Sequence, residues 1–174
     1  MKRKKKSKNL KLFNFNKWGK NIGDCLVRAV VGAFGLDYEV ACKLLKVDCR
    51  KGVGFTGDDG IDLYELEETL GKWIGPIEEL LPNEDDPFKF DGELPLDEWV
   101  EAHRNDGKIY LVYVNDWKDG GHIVYVNCKK SCNYFVDTFD SGNIPVNAWC
   151  EVKQRLSKDS KYHWKFDEKL KRFI

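Results

Sequence analysis

Asp24-Cys25-Leu26-Val27-Arg28-Ala29-Val30-Val31-Gly32-Ala33-Phe34 reads as a two-sided helix with a thiol in its first turn. Leu26, Val30 and Phe34 fall on a bulky side, and Cys25, Arg28, Ala29, Gly32 and Ala33 on a side of mostly small residues, as a period of 3.6 requires. Asp24 is a good helix cap, Gly35 with Leu36 ends the run, and Asp37 caps a second helix, Tyr38 to Lys46. Small residues beside the thiol let another element approach closely. The helix is therefore expected to wedge against a sheet with Cys25 at the seam. A sulfur placed there feels the positive end of the helix dipole and lies near unpaired backbone N–H groups. Both favour the thiolate and offer donors to a developing oxyanion.

The sheet comes late in the chain. Lys108 to Asn115, Gly121 to Cys128 and Asn133 to Phe139 are rich in Val, Ile and Tyr and bounded by turn residues, which predicts strands. Alternation within Ile144 to Leu156 and Tyr162 to Ile174 favours at least one more. Leu10 to Gly23 is polar and aromatic without a clean period and reads as a loop, as does Gly52 to Gly60. A third helix is expected from about Ile61 to Leu70, an exposed acidic connection over Pro76 to Gly92, and a short helix over Leu96 to Arg104 closed by Asn105-Asp106-Gly107. Helices first and antiparallel strands second make an α+β fold, with the N-terminal helices packed on one side of a small antiparallel sheet.

Within that sheet His122 follows Gly120-Gly121, and Asp137 and Asp140 lie on the next strand. A two-residue hairpin loop at Lys129-Lys130 sets His122 opposite Asp137, whereas a three-residue loop brings it to the face of Asp140. An imidazole oriented by a carboxylate supplies the general base that a cysteine nucleophile needs. Cys25, His122 and Asp137 are thus the candidate catalytic residues, with Asp140 second choice for the third member. Asn21 is the nearest side-chain amide for an oxyanion hole, with Asn16 and Asn14 behind it. Trp117, just before the glycine pair, is placed to line a substrate cleft.

A chain of 174 residues fits one domain, expected over residues 11–174 behind a solvated basic tail of residues 1–10. The 29 basic and 29 acidic residues cancel, so the whole molecule has no electrostatic bias toward nucleic acid or a membrane. The acidic stretch from Thr56 to Glu101 reads as a solvated face. No apolar run approaches a membrane span, and the basic start lacks the apolar segment of a secretory signal, so a cytoplasmic setting with reduced thiols is expected for the six cysteines. Cys128 and Cys132 with His122 offer one short-spaced ligand pair where a tetrahedral zinc site generally takes two, so neither a metal nor a cofactor is expected. Cys42, Cys49 and Cys150 read as packing residues.

Asp24-Cys25 with Arg28-Ala29, then Gly35, Tyr38 and Val40, followed by Gly121-His122 and Asp137-Thr138-Phe139-Asp140-Ser141, resembles the small papain-like cysteine peptidase-fold proteins encoded by phages and bacteria. The resemblance covers Asn21 to about Leu45 and Ile109 to Ser141. It implies a papain-like fold and a Cys, His, Asn/Asp triad in that chain order, mapping onto Cys25, His122 and Asp137. It also implies hydrolysis of a peptide or isopeptide bond in a peptide or protein substrate. Such proteins usually carry a Gln several residues before the Cys. The position six before Cys25 is Gly19, and that departure motivates the alternative of a weakly active or inactive binding protein on the same scaffold.

Overall fold

The computed structural model describes residues 6–18, 23–48, 63–115, 121–130 and 132–153, with short pieces at 166–167, 169 and 172–173. Among the described residues, four helices, α1 (Cys25–Phe34), α2 (Tyr38–Leu44), α3 (Leu63–Leu70) and α4 (Leu96–Ala102), accompany a six-stranded sheet. Its strands are β1 (Leu10–Leu12), β2 (Glu78–Glu79), β3 (Ile109–Asn115), β4 (Gly121–Lys129), β5 (Cys132–Asp137) and β6 (Val146–Glu151), in the spatial order β1-β5-β4-β3-β6-β2. A separate two-stranded ribbon pairs β7 (Phe166–Asp167) with β8 (Arg172–Phe173).

The fold is α+β, but the sheet is mixed rather than antiparallel, because β1 adds to β5 in parallel, Leu10↔Phe135 through Leu12↔Asp137. This segment lies in the stretch read as a loop. Three residues are too few for alternation to register, and the pairing is made by the backbone, with Phe135 N–H donating to Asn9 O and Phe13 N–H to Asp137 O, both at 3.0 Å. The boundary expected at residue 10 moves as well. Ser7, Asn9 and Leu10 are buried, Ser7 N–H donates to Asp140 Oδ2 at 2.9 Å, and Asn9 N–H donates to Asp97 Oδ1 at 3.0 Å. Residues 1–5 of the expected tail lie outside the described residues.

Helices cover both faces of the sheet, not one. Leu26, Val30 and Phe34 of α1, Ala41 and Cys42 of α2 and Leu66 and Leu70 of α3 pack with Leu111, Ile123, Tyr125 and Val136. Leu96, Trp99 and Val100 of α4 pack on the reverse face with Tyr110, Val112, Val114, Val124, Val126 and Phe135. The alternation along β3 and β4 therefore divides two apolar cores, which is why these strands read as nearly continuous Val/Ile/Tyr runs. Gly32 lets α1 settle onto β4. A Cβ there would overlap the Tyr125 ring and come within 2.8 Å of Phe15. Gly35 ends α1 in the left-handed conformation, φ 69°, and Asp37 caps α2 by accepting from Glu39 N–H at 2.9 Å, both as the sequence implies. No helix among the described residues is long and apolar enough to cross a membrane.

Candidate active site

Cys25 opens α1, where the first N–H groups of a helix have no intrahelical partner. The His122 ring and the backbone N–H of Ile123 on β4 both act on its sulfur and favour its ionised form. His122 Nε2 lies 2.7 Å from Asp137 Oδ2. With Nε2 committed to the carboxylate, Nδ1 is the ring nitrogen left for the sulfur. The three residues come from α1, β4 and β5 and meet where the N-terminal end of the helix reaches the start of β4.

The hairpin register differs from both alternatives read in the sequence. Lys129 pairs with Cys132, and the ladder runs to Tyr125↔Val136. Continued one step, that register puts Asp137 opposite Val124, so His122 reaches Asp137 as a diagonal neighbour rather than directly across. Phe139, just beyond the end of β5, packs its ring on His122 at 4.9 Å and is nearly half exposed. Gly121 earns its identity by contact, since a Cβ there would strike the Tyr113 hydroxyl.

Asp140 is not the third member. Its carboxylate accepts from Ser7 N–H and, at 3.2 Å, from Gly142 N–H. Burial opposes its ionisation, but these donors hold its carboxyl below the usual value. It anchors the N-terminal segment. Asp137 is almost wholly enclosed and accepts from Ser141 Oγ at 2.6 Å and from Thr138 N–H at 2.7 Å in addition to His122.

Burial among apolar neighbours works against a Cys25 thiolate. The His122 hydrogen bond and charge, the Ile123 N–H and the Arg28 charge outweigh it and hold the thiol below its ordinary value. Burial likewise works against the His122 imidazolium, yet Asp137 and Cys25 raise it to about 9. Both shifts act in the direction of a thiolate–imidazolium pair. This is the state in which sulfur attacks an acyl carbon and the ring then gives a proton to the leaving group.

Asp24 sits at the cap position but makes no capping bond with its side chain. One oxygen pairs with Arg28 Nε at 2.8 Å. The other accepts from Tyr38 Oη at 2.6 Å and Asn16 Nδ2 at 2.9 Å. Asn16 is thereby committed to Asp24, and Asn14 Oδ1 accepts from Asn16 N–H, so the structure brings neither amide to the sulfur. Asn21, the oxyanion candidate, lies outside the described residues, as do Gly19, Trp117 and Gly120. The Cys25 N–H remains the donor that the fold itself supplies to an oxyanion.

Arg28, Tyr38 and Ser141 occur among the residues that carry the family resemblance, but the sequence assigns them no role in the site. For Arg28 a local signal exists in its spacing of four from Asp24, since i,i+4 charges on a helix meet. Cys128 and Cys132 are not a ligand pair. The register pairs Cys128 with Asn133 and Lys129 with Cys132, which sends the two sulfurs to opposite faces of the sheet. All five described cysteines are free thiols, and no group of His, Cys, Asp and Glu able to hold a metal occurs among the described residues. Comparison with protein-family models, with curated proteins and with solved structures returned no match.

Proposed function

We propose that this protein is a papain-like thiol hydrolase that cleaves a peptide or isopeptide bond in a peptide or protein substrate. The observation that carries the reading is that His122, held 2.7 Å from Asp137 Oδ2, also acts on the Cys25 sulfur at the start of α1. The Cys25 thiolate attacks the acyl carbon, and the oxyanion forms against the Cys25 N–H. His122 protonates the departing amine, leaving a thioester. The neutral ring then takes a proton from water, whose oxygen attacks the thioester, and the carboxylic product leaves as the thiolate returns. Asp137 keeps the ring aimed at the sulfur and stabilises its charged form throughout.

An activated peptide p-nitrophenyl ester tests this without knowledge of the natural substrate. A burst of nitrophenol should accompany an acyl adduct that maps to Cys25 and is released by hydroxylamine. Absence of both the burst and the adduct would overturn the proposal.

A further inference from the structure

Two carboxylates lie on either side of the site, and one guanidinium stands between them. Arg28 is one turn along α1 from Asp24, with its side chain 10 % exposed, while the side chains of Asp24 and Asp137 are each 1 % exposed. Its Nε meets Asp24 Oδ1 at 2.8 Å. Its Nη1 donates to Thr138 Oγ1 at 3.2 Å and lies 3.7 Å from Asp137 Oδ1, an ion pair rather than a hydrogen bond. The same Asp137 holds His122 with its other oxygen. Arg28 therefore ties the helix that carries the sulfur to the strand that carries the orienting carboxylate.

The arrangement has an electrostatic side. Asp24 immediately precedes the nucleophile and is enclosed, so its unbalanced charge would act on the sulfur through little intervening water and oppose the thiolate. Asn16 and Tyr38 fix that carboxylate with neutral donors, which orient it without cancelling its charge. Among the described residues, the other titratable or charged groups acting on Cys25 are His122 on β4 and, through it, Asp137 on β5. Tyr113 on β3 has a hydroxyl made harder to ionise by burial and also by the Cys25 charge, while Tyr38 on α2 bonds Asp24. Arg28 is the permanent cation of this group.

We propose that Arg28 is a positioning residue of the site: its guanidinium holds Asp137 toward His122 and keeps the charge of Asp24 from acting on the Cys25 sulfur. The proposal rests on Cys25 being the nucleophile. It separates two roles that a structural ion pair would not distinguish, since loss of Arg28 can be compensated by removing Asp24's charge only if charge is what matters.

The test is the pH dependence of Cys25 alkylation by iodoacetamide, read by peptide mass on the full chain, for wild type, Arg28→Gln, Arg28→Lys, Asp24→Asn and the Asp24→Asn/Arg28→Gln double variant. Arg28→Gln should move the acid limb upward by about one pH unit, a roughly tenfold slower reaction on the limb. Arg28→Lys should restore most of that shift, and the double variant should return the limb toward wild type. Asp24→Asn alone should move it downward. A folded Arg28→Gln protein with the wild-type limb overturns the inference. If Arg28→Gln does not fold, an Asp24→Asn limb that is unmoved or raised overturns it instead. A wild-type limb at the ordinary thiol value would sink the nucleophile reading itself, which keeps the two failures apart.

Discussion

Cys25 and Cys128 are both buried thiols against the same sheet, one on each face, and their surroundings shift them in opposite directions. Cys128 sits among Val and Phe side chains beneath α4, and burial pushes its thiol up to about 12. Cys25 suffers the same burial, yet the His122 ring, the Ile123 N–H and the Arg28 charge bring it below its ordinary value. Burial alone makes a cysteine an inert small hydrophobe. What makes one reactive is a set of donors and a cation delivered by other elements at the same point.

The largest effect should come from erasing that difference. His122→Ala removes the principal donor and cation from Cys25, so alkylation of Cys25 at pH 7 should slow on the order of 100-fold, toward the Cys128 rate. Brief treatment with iodoacetamide followed by peptide mapping measures both thiols in one sample. A variant in which Cys25 stays as reactive as in wild type would break the comparison.

Sharper still is the choice between the two aspartates. Asp137→Asn should slow Cys25 alkylation about tenfold by withdrawing the anion that favours the imidazolium. Asp140→Asn should leave the rate alone and cost at most about 1 kcal/mol of stability through the Ser7 and Gly142 hydrogen bonds. Rates from mass analysis and melting curves for the two variants separate these roles. Equal effects on reactivity would show that the assignment of Asp137 fails.

The smallest expected effect is on stability against pH. His122 is raised from 6.5 to about 9, so its contribution is full below about 6.5 and is lost as pH rises through about 9. Cys25 is lowered from 9.0, so its contribution is absent below its folded value and grows as pH rises toward about 9. Between the folded value of Cys25 and about pH 9 the gain on the sulfur opposes the loss on the ring, so the pair's net slope is smaller than that of His122 alone. Cys25→Ser leaves His122 without that offset, and its melting temperature should fall more between pH 6.5 and 9 than that of wild type. Identical pH profiles would mean that the sulfur and the ring do not share a proton.

Much of this arrangement was legible in the residues. The period of α1, the Gly35 stop, the Asp37 cap and the three central strands follow from local preferences, and the order Cys25, His122, Asp137 follows from which elements carry them. The parallel strand Leu10–Leu12 was not legible, because its partner, Phe135–Asp137, is more than a hundred residues away and its own pattern is only three residues long. Nor was the packing of α4 beneath the sheet, since an apolar helix face does not say which side of a sheet it will cover. Asp24 illustrates the same limit. Its sequence position makes it a cap, but Arg28, Tyr38 and Asn16 converge on its oxygens and take the side chain away from the helix end.

By itself the sequence determined where a thiol, an imidazole and a carboxylate stand on their own elements, because helix and strand periods are properties of a few adjacent residues. Only the tertiary structure decided that His122 meets Asp137 diagonally, that Asp140 serves the N-terminal segment, and that Arg28 lies between two enclosed carboxylates. Those outcomes depend on a strand register and on contacts between residues far apart in the chain. They are fixed when α1 closes onto β4 through Gly32 and burial compels each charged group to find its partner.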